Sequence, residues 1–193
     1  MQAVDFSGLY HLENVREVGS ELALKPDGKF DFMLAYGAAD YFATGTWKAQ
    51  NGSVILNSTS QEDHPPFQLK QSSTTKAAAI RVRVMGQNGK GVANIDVMLV
   101  TKDNHFEART DSDGIAMFQK RGAPTGVAFR VRVYSVETEP YAVNSAHDDF
   151  TFEINGTAIR EVRFTEEHLT VQGKALICHH WGADHEMVYE KEQ

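Results

Sequence analysis

The densest group of chemically capable side chains is Cys178-His179-His180-Trp181-Gly182-Ala183-Asp184-His185-Glu186. Thiolate and imidazole are good ligands for zinc or copper. On a strand, side chains alternate between faces, so Cys178 and His180 share one. A tight turn after Trp181 brings His185 back toward them. Cys178, His180 and His185 then form a three-ligand set, with zinc as the expected metal. The spacing matches no established zinc signature. A polar hairpin end in water accounts for the same residues, so the working expectation is no cofactor.

Other chemistry is harder to find. Gly-x-Ser-x-Gly and Ser-x-x-Lys nucleophile patterns are absent. Cys178 and His179 are adjacent, so on a strand they point to opposite faces and form no nucleophile–base pair. Asp111-Ser112-Asp113-Gly114 starts like a calcium loop, but Ile115, Ala116 and Met117 follow where later ligands belong. A hairpin turn explains it better. Gly86 to Gly91 lies between two strands and lacks the helix that would present its N–H groups to a phosphate. The reading leans away from an enzyme.

Two Arg-Val-Arg-Val runs remain. Arg81 and Arg83, and Arg130 and Arg132, point outward while the valines point inward. If the strands are neighbours, the four guanidinium groups form a basic stripe suited to a carboxylate-rich protein partner or a polyanion. Cross-strand pairing with outward acids, or placement in different sheets, is the alternative.

These residues need elements to hold them. The chain has 193 residues, 41% hydrophobic and 23% charged, ordinary values for a globular protein. The net charge of −7 disfavours nucleic acid, whose binders carry a basic excess. With Cys178 as its single cysteine the chain can form no internal disulfide. The start, Met1-Gln2-Ala3-Val4-Asp5-Phe6, shows no signal peptide. The expected location is therefore cytoplasmic, or periplasmic if a signal has been removed. No apolar run is long enough to span a bilayer.

Period-two alternation dominates and sustained helical periodicity is absent. Leu22 and Leu24 lead through Pro26-Asp27-Gly28 to Phe30, Phe32, Leu34 and Tyr36. Tyr41, Ala43, Gly45 and Trp47 lead through Asn51-Gly52 to Val54 and Leu56. Residues 58–76 are polar and contain Pro65-Pro66, the best linker in the chain. From 77 to about 165, some seven short strands read as a β-sandwich. The tail resumes hairpins. A hairpin that short needs a partner, and the N-terminal block needs closing. The expected architecture is all-β: a small antiparallel barrel-like domain over 1–70, completed by 166–193, and an Ig-like or transthyretin-like sandwich over 77–165.

Ser7-Gly8-Leu9-Tyr10, Leu24 to Phe30 and Gly45-Thr46-Trp47 resemble a small lipocalin-like barrel, and are similar to a group of uncharacterised bacterial proteins. Val82-Arg83-Val84, Gly89-Lys90-Gly91, Thr110 to Gly114 and Ala116-Met117-Phe118 are similar to transthyretin-like or carboxypeptidase-regulatory-like sandwiches. Neither resemblance supplies catalytic residues. The first implies an apolar ligand cavity; the second implies an accessory or interaction module.

The expected function is a non-enzymatic binding or protein-interaction protein of bacterial type. The first alternative is a carrier whose barrel encloses a small apolar ligand, lined by Phe30, Phe32, Tyr41 and Trp47. These side chains are bulky enough to fill a small lumen, so a packed interior is expected. The second alternative is a metal-dependent protein using the C-terminal His/Cys cluster.

Overall fold

The computed structural model describes residues 5–13, 15–59, 65–181 and 186–192. Strands β1 (Gly8–Glu13), β2 (Val18–Leu24), β3 (Lys29–Tyr36), β4 (Ala39–Gln50) and β5 (Ser53–Ser58) follow one another as antiparallel neighbours. On β3, Phe30, Phe32 and Leu34 are buried while Lys29, Asp31 and Met33 are exposed. This is the alternation of a sheet with one wet face. At the β2–β3 turn Gly28 has φ 79° and its N–H donates to the Lys25 carbonyl at 3.0 Å. Gly45 pairs with Phe30 across β3 and β4, and a side chain there would strike the Phe30 ring and the Asn57 carbonyl. Only glycine lets these strands approach so closely.

The chain then builds two sheets. Their strands are β6 (Phe67–Ser73), β7 (Ala79–Met85), β8 (Asp96–Thr101), β9 (His105–Arg109), β10 (Ile115–Gln119) and β11 (Pro124–Val131). The short β12 (Val136–Glu137) and β13 (Tyr141–Ala142) precede β14 (Asp149–Ile154) and helix α1 (Gly156–Arg160). One sheet runs β10-β7-β14-β6; the other runs β12-β11-β8-β9, with β13 beside β11. The β7–β14 pair is parallel. Inward Ile80, Val82, Val84, Val97, Leu99, Val127 and Phe129 share one core between the sheets. The Asp111 carboxylate accepts the N–H groups of Asp113 and Ile115, both at 2.9 Å, so this segment is a hairpin turn.

Strands β15 (Glu167–Gln172), β16 (Ala175–Cys178) and β17 (Met187–Lys191) return to the first block. β15 pairs with β5 and β17 with β1, closing an eight-stranded antiparallel barrel. Residues 1–63 with 160–193 form one compact unit, and residues 64–159 the other.

Two boundaries differ from the sequence reading. The stretch 58–76, expected as a linker, carries β6, so 67–73 belongs to the sandwich rather than to a first domain ending at 70. Its polar composition hides an edge strand, which needs only one apolar face; Phe67 is fully buried, stacked on Phe129 with ring centroids 4.1 Å apart. At the other end Val162 and Phe164, expected in the sandwich, lie in the barrel core. They belong to no strand, but Glu161 makes a parallel bridge to Phe42, and Val162 N–H donates to the Phe42 carbonyl at 2.8 Å.

Candidate functional site

The barrel interior is filled from the middle outward. Phe30 and Phe32 both meet Phe164 edge-on, with centroids 5.9 and 5.2 Å apart. Tyr10, Leu22, Leu169, Leu176 and Tyr189 complete the packing. Ser20 Oγ lies 2.7 Å from the Met33 carbonyl and 2.8 Å from Tyr189 Oη. The serine donates to the carbonyl, so the tyrosine donates to the serine. Burial pushes the Tyr189 hydroxyl well above its ordinary pKa, which keeps that proton in place.

The packing stops short of one end. There the ends of β1, β3 and β16 and the starts of β2, β4 and β17 surround a cleft of about 660 Å3. Val18, Leu34, Tyr41 and Met187 form its apolar wall, Tyr36 and Trp181 its aromatic rim, and Arg16 and Glu186 its charged edge. Val15, Tyr36 and Trp181 are 39%, 57% and 38% exposed. Three exposed large apolar side chains thus gather at one opening. Water-facing apolar groups gathered in this way mark a binding surface more often than scattered ones do.

The four residues expected to line a ligand cavity divide. Phe30 and Phe32 are buried core. Tyr41 reaches the cleft. Trp47 stands six residues further along β4, roughly 20 Å away at strand spacing. Its indole N–H donates to the Lys25 carbonyl at 2.9 Å.

Behind Trp181 lies the expected metal cluster. His180 meets the Trp181 ring at 4.9 Å and the Phe164 ring at 4.8 Å, both edge-on. Its Nδ1 is 3.0 Å from Glu167 Oε2, and Cys178 Sγ is 4.0 Å from Glu167 Oε1. Burial pushes the Cys178 thiol up to about 11, the nearby Glu167 charge adds to this, and a hydrogen bond from the His180 backbone opposes it. A metal ligand needs the thiolate, which this setting disfavours. His185 lies outside the described residues, and among those described no three His, Cys, Asp or Glu side chains are grouped to hold a metal. Glu167, which organises Cys178 and His180, was invisible in the sequence, since a lone acid on a strand carries no local signal.

The four arginines do not form one stripe. Arg81 and Arg83 stand on β7 in one sheet; Arg130 lies near the end of β11 in the other, and Arg132 follows that strand. Alternation cannot reveal which sheet a strand joins. Arg81 pairs with Asp149 at 2.5 Å, Arg130 with Glu137, and Arg132 with Asp96, which also binds Arg109 at 2.7 Å. These guanidinium groups are spent on local acids. Arg83 has a buried Nε without a hydrogen-bond partner.

No known protein family, curated protein or solved structure matches this chain. Site geometry therefore carries the functional argument. Among the described residues of the sandwich, Ser72 Oγ meets His147 Nδ1 at 2.8 Å. Asn144 Oδ1 accepts the Ala146 N–H at 3.0 Å, which aims its amide nitrogen at His147 Nε2, 3.4 Å away. That arrangement makes Nε2 the acceptor and Nδ1 the donor to Ser72. The ring therefore offers the serine a proton instead of taking one, opposite to nucleophile activation. Among the described residues no helix is long and apolar enough to cross a membrane.

Proposed function

We propose that this chain is a non-enzymatic binding protein and that the open end of its barrel receives a small, mainly apolar molecule. The cleft carries this reading. Its volume of about 660 Å3 falls within the usual range of small-molecule sites, roughly 300–1,000 Å3. Its lining is aromatic and aliphatic with a few polar groups at the edge, the composition such sites favour. The occupant sits at the mouth, not in the lumen, because Phe30, Phe32 and Phe164 fill the centre. We also propose that the two units are lipocalin-like and transthyretin-like in architecture. Closed antiparallel order supports the first comparison and a shared two-sheet core the second.

The test is titration of the full chain with aminoanthracene, a neutral fluorescent apolar probe. We expect saturable one-to-one binding with energy transfer from Trp181. Substituting Tyr36→Ala and Trp181→Ala together should weaken it by about tenfold or more, the loss of roughly 1.4 kcal/mol of contact. Unsaturable binding, or binding indifferent to both substitutions, would remove the cleft as the site.

A further inference from the structure

The opposite end of the barrel differs in chemistry. A second pocket of about 330 Å3 opens there, between the lead-in to β1 and the β15–β16 turn. Phe6, Tyr10, Val171 and Leu176 give it an apolar floor, and Lys174 and Lys191 stand at its edge. We propose that this pocket binds a small organic carboxylate with an apolar body.

The charges around the pocket support an anion. Its two acids are Asp5 and Glu192. The Asp5 carboxylate already accepts the Ser7 N–H at 2.9 Å, and Glu192 faces the His11 ring nitrogen at 3.8 Å. Lys191 Nζ lies 3.5 Å from the Asp5 carbonyl and 5.9 Å from the Tyr10 ring centroid. Both of these partners are neutral, and the Asp5 carboxylate acts on the ammonium through its charge without a direct ion pair, so the ammonium keeps donors for an anion. Lys174 forms no ion pair among the described residues, and the Gly173 turn holds it at the edge, with φ 61°.

Gly8 leaves the space that the Lys191 side chain occupies. Gly8 has φ 151°, and a Cβ there would run into the Lys191 side chain. The bare glycine lets the lysine stem lie across β1 toward the pocket. Tyr10 spends its hydroxyl on the Phe6 carbonyl at 2.8 Å, which ties Phe6 to the pocket and leaves the Tyr10 ring as apolar surface. Two ammonium groups over an apolar floor fit a carboxylate on a short aryl or acyl body. The volume stands near the lower end for ligand sites, roughly 300 Å3, so a long chain would not fit.

The full isotope-labelled chain is titrated with phenylacetate and, separately, with the neutral phenylacetamide, and followed by amide NMR. We expect saturable shifts at Gly173, Lys174 and Lys191 with the acid alone. Lys174→Gln and Lys191→Gln should each weaken binding by about fivefold. Lys174 is exposed in a turn, so its variant keeps the native spectrum and reports charge alone. Absence of saturation, equal binding of the amide, or indifference to both substitutions would overturn the proposal. So would shifts confined to Val18, Tyr36 and Trp181 at the other end.

Discussion

Phe164 meets Phe32 edge-on inside the barrel, with ring centroids 5.2 Å apart and planes at 87°, although Phe164 belongs to no strand. The segment that brings the chain back from the sandwich thus fills the lumen as well as connecting it. Its backbone is tied on both sides: the Phe164 carbonyl accepts the Ser58 N–H at 2.8 Å, and the Phe164 N–H donates to Ser58 Oγ at 3.0 Å. Phe164→Ala should destabilise the barrel by about 3–5 kcal/mol, and Phe164→Leu by less. Both tryptophans lie in this unit, so urea unfolding followed by their fluorescence reads the barrel selectively. A loss under about 1 kcal/mol would mean the ring is not a core element.

Asp148 gives the sandwich an acid limit. It is buried, and its carboxylate accepts the Thr75 N–H at 2.6 Å, the Thr75 hydroxyl at 2.9 Å and the Lys120 ammonium at 3.2 Å. The Thr75 backbone bond is the chief cause that lowers its pKa from 3.8 to about 2. The folded value lies below the unfolded one, so the stabilisation is present above about pH 4 and is lost as pH falls toward 2. Near-ultraviolet circular dichroism at fixed urea should show this loss in the native chain. Asp148→Asn should be less stable at neutral pH and flatter across the same acid window.

Cys178 should be unreactive while the barrel is folded. Its thiol is buried and titrates near 11 instead of 9.0. At pH 8 that lowers the thiolate fraction by about a hundredfold, before access is considered. Reaction with a chromogenic disulfide should be at least that much slower in native protein than in urea. Rapid native labelling would contradict the burial.

The arginine pairs should act independently. Arg81→Gln and Arg130→Gln each remove one exposed ion pair on different sheets. Each should change stability by about 0–1 kcal/mol, and the two effects should add. Coupling in a double-mutant cycle would contradict their separation.

The all-β class and the barrel were readable because each hairpin carries its own instructions. Pro26-Asp27-Gly28 and Asn51-Gly52 set their turns, and Phe30, Phe32 and Leu34 mark one face. What sequence alone could not supply was sheet partnership. Arg81 and Arg130 sit in the same local pattern but in different sheets, because alternation specifies a face and not a neighbour. Phe67 was hidden by the polar residues of an edge strand. The cleft was hidden because Tyr36 and Trp181, 145 positions apart in the numbering, meet only when β3 and β16 enter one barrel. Tyr36 also continues the inward pattern of β3, yet stands beyond the filled centre.

The pairing of β1 with β17 has a consequence for synthesis. Residues 64–159 form the sandwich unit from one continuous stretch, so that unit is complete before β15 is made. The first five strands must wait until then with open edges and an uncovered Phe30–Phe32 face. The barrel closes only when Met187–Lys191 has emerged from the ribosome. During that interval the nascent N-terminal block, β1 to β5, is the part of the chain most in need of a chaperone.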